Sequence, residues 1–204
     1  MSGSQQRVAI IDAGGANLGS VRYALERLGV HPAVARDADA LDGAERIVLP
    51  GVGAARPAMA LLRERGFDAA LRASQVPVLG ICLGMQLLYE GSEEGDVACL
   101  GVVPGQVLRM APAPGARMPH MGWNTLQATA DADPLLQGID DGSAAYFVHG
   151  YAAPVSVHSV AIAAHGQPFC AVVRRGPYCG AQFHPERSAA TGARLLANFL
   201  RWTP

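Results

Sequence analysis

The 204-residue sequence contains no lysine, because all sixteen of its basic residues are arginine. Schiff-base chemistry, attachment of pyridoxal phosphate and a Walker-type nucleotide site all need a lysine, so these functions are excluded. Charged residues are also scarce, at 16% of the chain, against about 25% in ordinary soluble domains. So little charge favours a permanent partner, and the net charge of -1 gives no reason to expect nucleic acid or an anionic membrane as that partner.

Cysteines are few and widely spaced, and long apolar runs are missing. No two of the four cysteines form a C-x-x-C pair, which argues against a zinc site or a redox dithiol and favours reduced thiols. Residues 1–6 are polar and lack the apolar core of a signal peptide. The longest apolar stretch, residues 76–89, is interrupted by Gly84 and Gln86 and is too short to span a bilayer. We therefore expect a cytoplasmic protein and not a membrane protein.

The stretch 76–88 places a cysteine between a strand and a helix. Residues 76–81 form an apolar run typical of a buried strand, and residues 83–90 have the apolar spacing of a helix. Between them, Gly80-Ile-Cys-Leu-Gly84 has the form of a nucleophile elbow centred on Cys82. We expect this thiol to stand exposed above the sheet, where the helix dipole favours a thiolate. The alternative is a buried structural cysteine between two glycines that serve helix packing.

The first ninety residues alternate between strands and helices, which predicts a parallel sheet with helices on both faces. Strands are predicted at residues 7–12, 32–35, 46–50 and 76–81. Helices are predicted from about residue 18 and from Pro57 to about residue 65. The glycine-rich turn at 13–17 precedes the first helix, which Asn17 or Ser20 can cap. Its glycines do not spell the G-x-G-x-x-G of a dinucleotide site, so we expect no such cofactor.

Beyond residue 96, glycine and proline separate short β-like pieces, as in the antiparallel portion of a mixed sheet. These pieces lie at residues 101–108, 123–128 and 144–148. The chain then returns through predicted strands at 160–164, 169–174 and 178–183, and a final helix covers about 188–202. No repeat, low-complexity tract or obvious linker interrupts the chain. The prediction is a single α/β domain over residues 1–204, with an open, mixed, mainly parallel sheet flanked by helices.

The segment Gln182-Phe-His-Pro-Glu186 offers the base that a cysteine nucleophile requires. Pro185 biases His184 towards an extended backbone. Residues two apart in an extended chain point the same way, so Glu186 can orient the imidazole. The alternative is a strand end that turns into a helix capped by Ser188. A metal site at His184 and Glu186 is disfavoured because the spacing offers no third ligand.

Five other histidines compete for the role of base. His31, His158 and His165 lie in turn-like segments typical of surface residues. His120 and His149 lie in aromatic-rich surroundings, which suggests a specific role, but neither has a carboxylate two residues further on. His184 is therefore the preferred candidate.

Taken together, residues 80–86 and 182–186 resemble the paired signature of the class I, or triad, glutamine amidotransferases. Four stretches are similar to the glutaminase subunits of imidazole glycerol phosphate synthases, which act in histidine biosynthesis. They are Leu49-Pro-Gly-Val-Gly53, Pro119-His-Met-Gly-Trp-Asn124, Tyr146-Phe-Val-His-Gly-Tyr151 and Gln182-Phe-His-Pro-Glu-Arg-Ser188. The similarity extends from the first strand to the last helix and implies the flavodoxin-like fold of that class.

The resemblance implies roles for individual residues. Cys82 would be the nucleophile, His184 the acid and base, and Glu186 the group that orients His184. The oxyanion would be bound by the backbone N–H groups of Leu83 and, after a peptide flip, of Val52. Contacts to glutamine are expected from Gly51, Gly53, Gln86, Glu94, Gly150 and Tyr151. Neither a cofactor nor a metal is implied.

The resemblance also implies a partner, a (β/α)₈-barrel cyclase subunit in a heterodimer. L-Glutamine would be hydrolysed to glutamate and ammonia, and the cyclase would use the ammonia to form imidazole glycerol phosphate and an aminoimidazole carboxamide ribotide. Residues expected to face the cyclase are Asn17, His120, Met121, Tyr146 and Arg187. The sequence departs from the family's usual pattern at Ala13, Ala16, Ala55 and Arg187. The alternatives are a glutaminase subunit of another amidotransferase, a cysteine hydrolase on the same fold, and a non-catalytic binding subunit.

Overall fold

The computed structural model describes residues 6–14, 17–129 and 133–204, and fourteen strands lie within these ranges. In chain order they are β1 (Val8–Ile11), β2 (Ala33–Ala35), β3 (Arg46–Gly51), β4 (Val78–Cys82), β5 (Gly91–Ser92), β6 (Val97–Ala98), β7 (Gln106–Arg109), β8 (His120–Thr125), β9 (Gln127–Ala128), β10 (Ala144–His149), β11 (Tyr151–Ala152), β12 (Ser159–His165), β13 (Gln167–Arg175) and β14 (Tyr178–Ala181). Eight of these strands form one sheet, in the order β2-β1-β3-β4-β14-β13-β12-β9.

Five α-helices connect and cover the strands of the described chain. They are α1 (Leu18–Glu26), α2 (Ala55–Glu64), α3 (Phe67–Arg72), α4 (Leu83–Gln86) and α5 (Ala189–Arg201). Short 3₁₀ turns occur at Ala38–Leu41, Pro134–Leu136 and Pro185–Arg187. None of the helices in the described ranges is long and apolar enough to cross a membrane.

The parallel part of the large sheet confirms the predicted fold class. The strands β2, β1, β3, β4 and β14 pair in parallel, which is the 2-1-3-4-5 order of flavodoxin-like folds. Neighbouring residues of a strand point to opposite faces. Accordingly, Ile10 packs with α1 and α5 in one apolar cluster, whereas Ile11 packs with α2 and α3 in another. The carboxyl ends of β3, β4 and β14 meet at one edge of the sheet.

An antiparallel portion is present as predicted, but the predicted pieces at 101–108, 123–128 and 144–148 lie mostly outside the large sheet. The antiparallel strands of the large sheet are β13, β12 and β9, whereas β8 and β10 form a two-stranded sheet and β11, β7, β5 and β6 form another. The strand β10 alternates exposed or half-buried residues with buried ones, so it covers the core with one face only. The strands β1, β3, β4 and β14 are buried throughout, as strands between two helical layers must be.

The predicted helix after Cys82 is shorter than expected, because α4 ends at Gln86 and does not reach Glu90. The backbone carbonyls of Leu87 and Leu88 accept hydrogen bonds from the N–H groups of Leu100 and Val102. These long-range bonds replace the bonds that would continue the helix. The helix α3 was not predicted at all; it follows Gly66, whose φ of 73° turns the chain directly after α2.

Candidate active site

The nucleophile elbow is formed by the junction of β4 and α4. Cys82 has φ 53° and ψ −111°, a backbone conformation that costs energy for any residue other than glycine and that often marks functional sites. The glycines two positions before and after it, Gly80 and Gly84, have no room for a side chain. A Cβ on Gly80 would lie 2.6 Å from the Gly84 oxygen, and a Cβ on Gly84 would overlap the Leu49 carbonyl. The predicted exposure is wrong, because Cys82 is only 7% exposed.

The Cys82 side chain borders a cavity of about 260 Å³ that reaches the surface. Its lining includes most of the residues predicted to act on glutamine: Val52, Gly53, Cys82, Leu83, Gln86, Glu94, Gly150, Tyr151 and His184. Gly51 does not line it. A Cβ on Gly51 would lie 2.7 Å from the Gly84 nitrogen, so its missing side chain lets the elbow pack against β3.

The lining of the cavity also contains one carboxylate, that of Glu94. The Glu94 carboxylate accepts a hydrogen bond of 2.9 Å from the backbone N–H of Ala55, at the start of α2. Burial raises the pKa of Glu94, and the bond from Ala55 opposes this shift. An α-ammonium group bound there would supply the opposite charge that the carboxylate lacks.

His184 and Glu186 lie side by side at the carboxyl edge of the sheet. The Nδ1 atom of His184 is 2.8 Å from Oε1 of Glu186, and the Glu186 side chain is fully buried. A carboxylate can only accept, so Nδ1 carries the proton. The other ring nitrogen, Nε2, is therefore left for Cys82, which shares the cavity with His184.

Charge stabilises the protonated form of His184. Burial by itself lowers the pKa of His184, but hydrogen bonds and charge interactions with Cys82 and Glu186 outweigh it and raise this pKa to about 10. For Glu186, burial raises the pKa, and the bond and charge of His184 outweigh this effect and lower it. The arrangement thus favours an imidazolium between a carboxylate and a sulfur.

The backbone conformation that brings His184 and Glu186 together differs from the predicted one. His184 is extended, with φ −97° and ψ 96°, but Glu186 lies in the 3₁₀ turn Pro185–Arg187 and not in an extended chain. Ser188 occupies the N-cap position of α5, yet its hydroxyl does not cap the helix. It donates to the His184 carbonyl at 2.7 Å and accepts from the Tyr146 N–H at 2.9 Å, which fixes the His184 backbone to β10.

Sequence reasoning missed the contact between Asn17 and Glu186. Asn17 lies at the N-cap of α1 without capping it, and Ser20 lies inside that helix. The Asn17 amide instead donates to Oε1 of Glu186 at 2.6 Å. The two residues are 169 positions apart, so no local pattern could reveal the bond. The predicted turn at 13–17 lies partly outside the described residues, since Gly15 and Ala16 are not among them.

Gln182 also contacts the candidate nucleophile. Its side chain is fully buried, its Nε2 atom lies 3.9 Å from Cys82 Sγ, and its Oε1 atom accepts from Gln86 Nε2 at 3.0 Å. The sequence contained a signal for a role of Gln182, because this residue begins the motif that contains His184. The described residues contain no group of three or more histidine, cysteine or acidic side chains that could hold a metal ion.

Comparisons with known proteins identify the family. The model of the family "Glutamine amidotransferase class-I" matches residues 9–202. The chain belongs to the class-I glutamine amidotransferases. It is 64% identical over 193 residues to the imidazole glycerol phosphate synthase subunit HisH of Xanthomonas euvesicatoria pv. vesicatoria, covering 95% of this chain and 96% of that protein. It is 61% identical over the same coverage to the HisH subunit of Xylella fastidiosa. Within the family, the chain is therefore a HisH-type glutamine amidotransferase subunit of histidine biosynthesis.

Solved structures agree with this fold. A glutamine amidotransferase crystal structure superposes with a TM-score of 0.74 at 22% identity, covering 95% of this chain and 97% of that one. A glutamine amidotransferase from Thermotoga maritima superposes with a TM-score of 0.62 at 16% identity, covering 98% and 82%. At such identities the likeness concerns the fold alone.

The contact of Asn17 with Glu186 leads to a first prediction. We expect Asn17→Ala to lower kcat for glutamine hydrolysis by about tenfold, since a hydrogen bond to a charged group contributes roughly 1.5–3 kcal/mol. KM should change little, because Asn17 does not line the cavity that contains Cys82. Glutamate release at saturating glutamine measures the effect. Ser20→Ala, at a nearby position in α1, is the matched control. An Asn17→Ala variant with an unaltered kcat would show that the bond has no part in orienting the triad.

Two buried histidines near the cavity lead to a prediction about pH. His149 and His120 are joined by a contact of 2.9 Å between Nε2 and Nδ1. Burial is the main cause that lowers the pKa of His149 to about 3 and that of His120 to about 4. Charge repulsion from His165 adds to this effect in both residues. For His149 the hydrogen bond to Tyr151 opposes the lowering, whereas the charges of His120 and His184 add to it. Both imidazoles are thus neutral in the folded protein at pH values where the unfolded chain, with a histidine pKa of about 6.5, takes up protons.

Lowering the pH from about 6.5 towards 4 should therefore favour unfolding, because the unfolded chain binds more protons than the native one. We expect urea titrations to give a free energy of unfolding that declines across this window. The slope of this free energy against pH should fall by the equivalent of about one bound proton in His149→Asn. It should stay unchanged in His31→Asn, which alters an exposed histidine. Equal slopes for both variants would mean that His149 is protonated in the folded state.

Proposed function

We propose that the chain hydrolyses L-glutamine to glutamate and ammonia through Cys82, His184 and Glu186, and delivers the ammonia to a (β/α)₈-barrel cyclase subunit in a heterodimer. The observation that carries the proposal is the shared cavity of Cys82 and His184, with Glu186 bonded to the far side of the imidazole. As a subunit of a biosynthetic enzyme of small metabolites, the protein would act in the cytoplasm. No cofactor or metal is needed for these steps.

The first step is the attack of the Cys82 thiolate on the side-chain amide carbon of glutamine. The amide is a poor electrophile, so the negative charge that develops on its oxygen must be stabilised. The N–H of Leu83, the first residue of α4, is the proposed first donor. The N–H of Val52 is the proposed second, and the flanking Gly53, with φ 96°, gives that peptide the freedom to turn.

The second step is the release of ammonia. The imidazolium of His184 has its Nε2 proton directed away from Glu186, so it can protonate the leaving nitrogen. Water activated by the resulting neutral imidazole then hydrolyses the γ-glutamyl thioester. Glu186 supports both steps, since it fixes the tautomer and stabilises the charged ring.

A recess beside the active site is the proposed route by which ammonia leaves towards the partner. It has a volume of about 330 Å³ and is lined by Asn17, Ser20, Val52, Val148, His184 and Arg187. Val52, Val148 and His184 line both this recess and the cavity of Cys82. A partner seated over the recess would receive ammonia before bulk water could protonate it. This arrangement supports direct transfer.

Two large exposed apolar side chains support a docking surface next to the recess. Met121 is 64% exposed and Trp123 is 57% exposed, and both lie on the outer face of β8. The Trp123 ring contacts that of Tyr146 on β10, with centroids 5.8 Å apart. Aromatic residues and methionine are enriched at protein interfaces. We propose that this surface and the recess form the contact with the cyclase.

The test compares glutamate release by the subunit alone, with the cyclase, and with the cyclase plus its nucleotide substrate. A missing oxyanion donor costs about 10²–10³ in kcat. If the partner biases the Val52 peptide, we expect release to be at least about 10²-fold faster in the loaded complex. Equal rates in all three mixtures would contradict a role for the partner. A subunit that hydrolyses peptides or esters in preference to glutamine would favour the alternative of a general cysteine hydrolase.

A further inference from the structure

His120 and His149 are buried polar residues that the proposed chemistry does not use. They are 3% and 6% exposed, and they lie between the outer face of β8 and the glutamine cavity, which His149 lines. His149 Nδ1 lies 2.9 Å from the Tyr151 carbonyl oxygen. On the other side, His120 Nε2 lies 3.3 Å from the side-chain nitrogen of Asn124.

Only one set of protonation states satisfies this chain of contacts. The Tyr151 carbonyl accepts, so His149 Nδ1 carries the proton and, in a neutral ring, His149 Nε2 is the acceptor. His120 Nδ1 must then donate to it, which leaves His120 Nε2 to accept from Asn124. The Asn124 amide is oriented for this, because its nitrogen also donates to the Ala164 carbonyl at 2.8 Å and its oxygen accepts from the Thr125 N–H at 2.8 Å.

The chain continues from the Tyr151 carbonyl to the nucleophile. The same oxygen accepts from Gln86 Nε2 at 2.8 Å, and Gln86 Nε2 also donates to Gln182 Oε1 at 3.0 Å. Both amide hydrogens of Gln86 are therefore engaged. Its Oε1 atom therefore remains as the acceptor that this side chain can offer to a ligand in the cavity.

We propose that His149, supported by His120, is a positioning residue for glutamine: it fixes the Tyr151 carbonyl, and so turns the Gln86 amide oxygen towards an N–H group of the substrate. The proposal rests on the proposed glutamine site. A Gln86 amide in the opposite orientation would place its oxygen against two acceptors, the Tyr151 carbonyl and Gln182 Oε1. The carbonyl that His149 holds is thus what selects the orientation in which Gln86 accepts from glutamine.

Two conservative variants separate the two contacts of His149. The amide nitrogen of asparagine can occupy the position of Nδ1, so His149→Asn keeps the donor to Tyr151. The terminal atoms of glutamine lie near the position of Nε2, so His149→Gln keeps an acceptor for His120 but loses the donor to Tyr151. We expect His149→Gln to raise KM for glutamine about five- to tenfold with kcat within about twofold, and His149→Asn to raise KM less than about twofold.

The kinetics are measured in the complete complex, together with its synthesis from added ammonia, which does not need the glutamine site. Equal KM values for His149→Gln and the unsubstituted protein, or equal increases in both variants, would overturn the proposal. If instead the unsubstituted protein released no glutamate from glutamine, the proposed function itself would fail.

If the variants do not fold, an NMR measurement on the unsubstituted protein still tests the proposal. Nitrogen chemical shifts from protein labelled with ¹⁵N-histidine distinguish the two neutral tautomers. We expect both His120 and His149 to carry their proton on Nδ1. A proton on Nε2 of either residue would overturn the chain of hydrogen bonds and with it the proposal.

Discussion

Replacing Cys82 with alanine is expected to lower glutamine-dependent ammonia release by at least about 10⁴-fold, because loss of a nucleophile removes the covalent route entirely. Alanine keeps the small side chain that the elbow tolerates, so the fold should survive. Synthesis by the complex from added ammonia should continue, since that reaction bypasses the thioester. Coupled assays with glutamine and with ammonium salts as nitrogen source measure the two activities side by side.

Cys99 provides a matched control for this experiment. It is also buried, and burial raises the pKa of its thiol to about 11, so it is an unreactive thiol outside the cavity. Cys99→Ala should leave the glutamine-dependent rate within about twofold of the unsubstituted protein. A Cys82→Ala variant that still used glutamine at a comparable rate would exclude Cys82 as the nucleophile and would favour a non-covalent mechanism or another protein function.

The second large effect concerns the glycine that closes the elbow. Gly84→Ala would drive a Cβ into the carbonyl oxygen of Leu49 in the centre of the sheet. Leu49 is fully buried, so its backbone cannot move away without disturbing β3 and β4. We expect a loss of about 3 kcal/mol in the free energy of unfolding, at the upper end of the usual cost of overpacking. Urea titration or thermal unfolding of the purified subunit measures this loss.

Gly19 is the control for the same chemical change. It lies within α1, and a Cβ placed there meets no atom within 4 Å among the described residues. Alanine favours a helix over glycine by about 1 kcal/mol, so Gly19→Ala should leave stability unchanged or raise it slightly. If Gly84→Ala and Gly19→Ala were equally stable, the close approach of α4 to β3 described above would be wrong.

Much of the parallel sheet could be predicted because its strands carry their own signals. The runs that form β1, β3 and β4 are mostly apolar and lead into a glycine-containing turn or the elbow. The helix α5 has buried Leu195, Leu196 and Phe199 at helical spacing. These features depend on neighbouring residues in the chain. The fold class was therefore accessible from alternation alone, and the family resemblance added the residue roles.

The features that escaped prediction depend on contacts between distant residues. The short helix α4 ends where the N–H groups of Leu100 and Val102 bond to the carbonyls of the next two residues, Leu87 and Leu88. The two small sheets likewise form by pairing between segments that are distant in the chain. The same holds at the site. Asn17 meets Glu186, Gln86 meets Gln182, and His149 meets His120, each across 29 or more positions of the chain. Spacing within one motif contains no information about such pairs.

The proposed role of Cys82 is tested most directly by identifying the atom that glutamine acylates. The subunit, in complex with its cyclase, is incubated with a diazoketone analogue of glutamine, digested and examined by mass spectrometry. If Cys82 is the nucleophile, one adduct should form on the peptide that contains Cys82, faster than in Glu186→Gln, and excess glutamine should prevent it. An adduct on another residue, or a Cys82 that stays unmodified while activity is lost, would contradict the proposed role.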